Sequence, residues 1–214
     1  FIAWLVESDV LGTGLSRDTG PWDPILVVAP SILLEVWQKE LREFFDDSPF
    51  LPYKIFDSSE LRRIRKETAK EGNIGKSVLD LNQLRRHRLV ISNYEAVANY
   101  GFSFGQVRWT AVVSDEAHEF KEPSTRVSHV MKALNTEFRL AMTGTPVVNR
   151  LLDAWNIVDF LRPLHLGSQK EFRNQFELKP EQGGITEGAR RLRDYLNVAS
   201  RPPIPSNAVI LRRS

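Results

Sequence analysis

Short unbroken apolar runs punctuate this chain, and longer amphipathic stretches separate them. Ile25-Leu-Val-Val-Ala29 lies between Pro24 and Pro30 and contains no polar residue. Such a run predicts a strand covered on both faces, as in a parallel sheet. Leu89-Val-Ile-Ser92, Trp109-Thr-Ala-Val-Val-Ser114 and Arg139-Leu-Ala-Met-Thr143 predict further strands, and Tyr53-Lys-Ile-Phe56 a shorter one. After the first run, Leu33, Leu34, Trp37, Leu41, Phe44 and Phe45 recur at helical spacing, with Ser31 placed to cap that helix. Leu61 to Lys70 is charged and predicts a helix ended by Gly72 and Gly75, and Leu79, Leu81 and Leu84 predict another. Further helices are predicted from about Tyr94, over Ser124 to Leu134, and around Leu151, Leu152 and Trp155. Strands alternating with helices at this spacing argue an α/β fold with a parallel sheet flanked by helices.

Both ends depart from that rhythm. Phe1 to Val6 is apolar, with Ile2, Leu5 and Val6 on one helical face and no cap residue before them. It reads as a helix entered part-way, and the chain as a piece of a longer protein. Leu11-Gly-Thr-Gly14 and Thr19-Gly-Pro-Trp-Asp-Pro24 then mark a loop. Past Pro163, Gly167, Pro180, Gly183, Gly184, Pro202, Pro203 and Pro205 punctuate short helices such as Gln169 to Phe176 and Thr186 to Leu196. The expectation is an α/β unit over residues 1–163 and an irregular helical appendage over 164–214.

Composition narrows the classes without choosing one. With 214 residues, 42% hydrophobic and 26% charged, the chain has the make-up of an ordinary globular protein and can bury a core. The absence of Cys excludes a disulfide scaffold, a thiolate metal site and a cysteine nucleophile within these residues. Lys plus Arg total 29 against 27 Asp plus Glu, a balance that announces no polyanion partner by itself. No apolar stretch approaches the roughly 20 residues of a membrane-spanning helix.

Four rim segments carry candidate chemistry. The fourth strand runs into Asp115-Glu-Ala-His118, so two adjacent acids reach the carboxyl end of a buried strand, where ligands of open parallel sheets sit. One acid there can meet a Mg²⁺ held by nucleotide phosphates, and its neighbour can deprotonate a water. Asp115 for the metal and Glu116 for the water is the natural division; helix capping by the two acids is the simpler alternative. Thr143-Gly-Thr-Pro146 ends the fifth strand with two hydroxyls and a Gly, either as a ligand contact or as a plain turn. Ala29-Pro-Ser31 and Ser92-Asn-Tyr-Glu95 open helices, where free backbone N–H groups suit phosphates as well as caps.

In order and spacing these segments resemble the first RecA-like lobe of the Snf/Swi group of superfamily-two DNA translocases, over roughly Ile25 to Pro163. Val27 to Ser31 with Trp37 and Glu40 is similar to motif Ia of that group, and Ile91 to Glu95 to motif Ib. Asp115 to His118 with Lys121 is similar to motif II, and Leu140 to Pro146 with Asn149 to motif III. Asp153 to Pro163, Leu166 to Ser168, Phe172 and Leu211-Arg-Arg213 extend the likeness. Asn93 stands where the group usually has Thr, and Glu122 where Asn is common.

The resemblance implies ATP-driven tracking along double-stranded DNA, with ATP and Mg²⁺ as cofactors. It implies Asp115 at the metal, Glu116 as the catalytic acid that activates water, and His118, Thr143, Gly144 and Thr145 around the nucleotide. Ser31, Asn93 and Tyr94 would face DNA, and the segment after Pro163 would form a helical protrusion leading to a second RecA-like lobe. A bacterial source would place the protein in the cytoplasm at the nucleoid, a eukaryotic one in the nucleus; no membrane is expected. The phosphate loop of such lobes is not found here: Gly75-Lys-Ser77 would need a glycine where Lys70 stands. The expectation is that this stretch lacks the phosphate-loop strand and is inactive alone, with self-association or an altered strand order completing its sheet. A non-catalytic DNA- or partner-binding module and an RNA helicase lobe are the alternatives.

Three basic clusters, around Arg62 to Lys66, Arg85 to Arg88 and Arg190 to Arg193, read as solvated helix faces or a nucleic-acid groove. His87, His129 and His165 show no ligand spacing. Trp4, Trp22, Trp37, Trp109 and Trp155 sit in apolar patterns that suggest core.

Overall fold

A computed structural model describes residues 21–45, 53–66, 78–136, 138–144, 150–177, 184–199 and 208–212. Six parallel strands form one sheet: β1 (Ile25–Ala29), β2 (Tyr53–Phe56), β5 (Leu89–Asn93), β6 (Ala111–Ser114), β7 (Arg139–Thr143) and β8 (Ala208–Arg212). Their order is β2-β5-β1-β6-β7-β8, with Val28 level with both Ser92 and Ser114. Because every pairing is parallel, all the strands end on one rim.

The apolar runs are buried on both faces, as their lack of alternation requires. Leu26, Val28, Val90 and Val112 point into one cluster with Phe104, Trp109, Phe120 and Phe160. Ile25, Val27, Ala29, Ile91 and Val113 point into the other, covered by Leu34 and Leu41 of helix α1 (Leu34–Phe45). The first cluster is roofed by α2 (Ser58–Arg63), α3 (Leu81–Leu84), α4 (Tyr94–Asn99), α5 (Gly101–Gln106), α6 (Arg126–Ala133) and α7 (Leu151–Leu161).

Several details differ from the sequence reading. Ser31 does not cap α1: it opens a 3-10 turn, Ser31–Leu33, whose cap position is Pro30. Phe44, expected on the buried stripe, is 75% exposed. The charged stretch after Leu61 is not one helix. Chain leaves α2 at Ile64, and β3 (Arg65–Lys66) pairs antiparallel with β4 (Val78–Leu79), taking Leu79 out of the helix predicted for it. The helix from Tyr94 breaks in two at Tyr100, and the strand predicted from Trp109 begins at Ala111.

Past Pro163, α8 (Gln169–Phe176) opens on a capping box between Ser168 and Glu171, and α9 spans Gly184–Ala199. Phe172, Phe176 and Leu192 pack on Leu151, Leu152 and Trp155 of α7. A Cβ at Gly188 would lie 2.1 Å from the Phe176 carbonyl oxygen, so only glycine permits this crossing. The chain then returns to the sheet: β8 lies beside β7, with Thr143 level with Arg212. Phe1 to Gly20, the Gly75-Lys-Ser77 stretch, Thr145 and Asn149 lie outside the described residues. Among those described, no helix is long and apolar enough to cross a membrane.

Candidate active site

The rim gathers the ends of β1, β5, β6 and β7. Asp115 follows β6 and is held in the sheet by its backbone, its N–H donating to the Val28 carbonyl at 2.8 Å. Its side chain is 2% exposed. Oδ1 accepts the N–H of Glu116 at 3.0 Å, and Oδ2 accepts the indole N–H of Trp37 at 3.0 Å.

Glu116 is the sharp point of the site. Its backbone is left-handed, φ 51° and ψ 53°, in a residue that is not glycine. Such a conformation costs about 1–3 kcal/mol and persists only where neighbours over-determine it. It turns the chain abruptly from β6 into the 3-10 turn Ala117–Phe120. The carboxylate reaches across to β7, where Oε2 accepts the Gly144 N–H at 3.2 Å and the Thr143 hydroxyl at 3.4 Å. His118 Nδ1 lies 3.1 Å from the same oxygen and 3.5 Å from Thr143 Oγ1. Glu116 occupies the cap position of that turn, but its side chain makes no cap hydrogen bond and is directed to β7 instead. Five of the residues singled out in the sequence, Asp115, Glu116, His118, Thr143 and Gly144, stand together. Just beyond, Glu122 pairs with Arg150 at 3.5 Å, joining the two segments that leave the rim.

The residues expected to face DNA divide. Ser31 is exposed at the start of the turn before α1. Asn93 is 6% exposed and spends its amide oxygen capping α4, accepting the Ala96 N–H at 2.8 Å. Tyr94 is 5% exposed, and its hydroxyl donates to the Asp115 carbonyl at 2.8 Å. Burial drives the Tyr94 phenol far above its ordinary range, so it remains a donor. The exposed residues of α4 are Glu95 in its first turn and Asn99 at its end. Trp37, which the sequence placed both in an apolar, core-like pattern and in the motif Ia likeness, is half-buried and bonded to Asp115.

The donor set fits a metal carried by a nucleotide and not one caged by protein. Among the described residues no three His, Cys, Asp or Glu side chains converge. Mg²⁺ commonly keeps several waters and takes one or two carboxylates plus substrate phosphates. Asp115, fixed at the rim, could supply one such carboxylate, and Glu116 beside it could orient and deprotonate a water.

A six-stranded parallel sheet with this rim is the core of a RecA-like ATPase lobe. The SNF2-related domain matches residues 7–214, and the chain belongs to that family. A solved structure, the Sulfolobus solfataricus SWI2/SNF2 ATPase core in complex with dsDNA, superposes with a TM-score of 0.65 at 26% identity, over 96% of this chain and 36% of that one. Zorya protein ZorD of Escherichia coli O139:H28 is 30% identical over 178 residues, 79% of this chain and 16% of its own length. Human TATA-binding protein-associated factor 172 is 28% identical over 153 residues, 72% of this chain and 8% of that protein. The chain thus spans a small part of the relatives it matches.

Proposed function

We propose that this chain works as the first RecA-like lobe of an ATP-dependent translocase on double-stranded DNA, acting with a second lobe. The observation that carries the reading is the Glu116 carboxylate, held by a left-handed backbone against the Thr143–Gly144 turn and beside the fixed Asp115. Strain of this kind gathers at sites where geometry serves chemistry. When bound, Mg²⁺ would neutralise phosphate charge beside Asp115. Glu116 then takes a proton from water, and the contacts from Thr143 and Gly144 hold its carboxylate in place as nucleotide comes and goes. The likeness to the Sulfolobus solfataricus SWI2/SNF2 ATPase core solved in complex with dsDNA supports duplex DNA as the track. The exposed turn at Ser31, ahead of α1, follows β1 on the same rim.

The test is steady-state phosphate release by the full-length protein with duplex DNA, single-stranded DNA or RNA. Duplex-stimulated turnover that disappears in Glu116→Gln is expected. Stimulation greater with RNA would make this an RNA helicase lobe, and salt-dependent DNA binding without turnover would make it a non-catalytic module. Residues 1–214 alone should hydrolyse no ATP, since they contain no Gly-x-x-x-x-Gly-Lys-Ser/Thr sequence.

A further inference from the structure

The carboxylate assigned to the metal is gripped from 78 residues away. Trp37 lies between Leu34 and Leu41 on the inward stripe of α1, half-buried against the face formed by Val27 and Val113. A phenylalanine would serve that packing. Tryptophan adds one donor, and a buried indole N–H must find an acceptor. Here it takes Asp115 Oδ2 at 3.0 Å, a charge-assisted bond stronger than a neutral one. The other oxygen holds the Glu116 N–H, and the Asp115 carbonyl holds the Tyr94 hydroxyl. Rotation of the carboxylate breaks at least one of these bonds. Its two oxygens keep further lone pairs, since a carboxylate offers about four acceptor sites.

We propose that Trp37 is a positioning residue for Asp115. Its N–H fixes the carboxylate plane so that the remaining lone pairs face the rim, and it ties that carboxylate to α1, the helix that follows the exposed Ser31 and Ile32. The inference rests on the reading of Asp115 as the metal acid and names the residue that prepares it. Outer contacts of this kind typically carry about ten-fold or more in metal affinity.

Trp37→Phe keeps a ring and removes the donor. In full-length protein labelled with 5-fluorotryptophan, the fluorine resonance missing from Trp37→Phe identifies Trp37. With no nucleotide present, Asp115→Asn should move that resonance, and an unmoved signal overturns the contact. Binding of Mn²⁺ with a non-hydrolysable ATP analogue, followed by electron paramagnetic resonance, should weaken about ten-fold in Trp37→Phe. The Mg²⁺ needed for half-maximal hydrolysis should rise by a similar factor, with kcat at saturating metal little changed. Unaltered Mn²⁺ affinity in a folded Trp37→Phe protein overturns the positioning role. If Trp37→Phe does not fold, the Asp115→Asn spectrum still decides the contact: one shifted fluorine resonance is expected, and a spectrum in which none shifts overturns it. Wild-type protein that binds no nucleotide-linked Mn²⁺ overturns the metal reading of Asp115, an outcome distinct from either of these.

Discussion

The two halves of the sheet rim use their polar residues in opposite ways. At the β6–β7 end, Glu116, His118, Thr143 and Gly144 converge on one another, and the backbone bears strain to bring them there. At the β1–β5 end, the motif residues Asn93 and Tyr94 turn inward and build the frame, one capping α4 and the other bracing Asp115. The first half spends stability to arrange side chains. The second spends its side chains on stability, leaving an exposed hydroxyl at Ser31 and the helix starts as its surface. Motif membership therefore does not say whether a residue acts on a ligand or on its neighbours.

Substitutions should separate the two halves by what they disturb. On the role proposed for Glu116, Glu116→Gln removes the carboxylate that would activate water, so ATP turnover by the full-length protein should fall about a hundred- to ten-thousand-fold. Its thermal midpoint should change little, since the glutamine amide oxygen can still accept from Gly144 and Thr143. A fall in stability with turnover retained would erase the contrast. Tyr94→Phe leaves the buried Asp115 carbonyl without its donor and should cost about 1–3 kcal/mol in urea unfolding. Asn93→Ala removes the cap and should cost about 1 kcal/mol in the same measurement. Ser31→Ala should change stability by less than about 0.5 kcal/mol, because Ser31 is exposed and caps nothing. If Ser31 meets a phosphate, duplex affinity should weaken a few-fold in a binding titration while unfolding stays unchanged.

The smallest effect lies away from the rim. Burial holds the His87 imidazole below its ordinary value of 6.5. Its ring stands edge-on to Phe56 at 5.7 Å, and Nδ1 lies 3.1 Å from the Gln83 carbonyl. The folded protein keeps it neutral to a lower pH than the unfolded chain, which takes up a proton below 6.5. Stability is therefore untouched by this group above that pH and falls as pH drops from there through the lower value of the folded imidazole. His87→Gln should flatten this part of the urea midpoint's pH profile.

Much of this was legible in the chain because the signals were local. The apolar runs marked β1, β5 and β7 closely, and Gln169 to Phe176 marked α8 because a capping box and a helical stripe coincide there. The charged stretch after Leu61 misled because Arg, Lys and Glu favour helix intrinsically, while the ribbon of β3 and β4 depends on a partner across an intervening segment. Asp115 and Glu116 could be found from their place after a buried strand. The left-handed turn at Glu116 could not, since no glycine announces it. Trp37 on an apolar stripe looks like packing, and its acceptor lies 78 positions away. In the basic cluster at Arg190, the exposed guanidinium pairs with Glu187 and Asp194 along the helix.

One consequence follows from the strand beside β7. Its partner is recruited from residues 208–212, long after the rest of the sheet has been synthesised. A nascent chain emerging at about 5–20 residues per second therefore carries an open β7 margin for several seconds. During that interval the hydrogen-bonding groups of Arg139 to Thr143 on that side are a template for any passing strand. Co-translational chaperone contact should concentrate there and cease once residue 212 has cleared the ribosome.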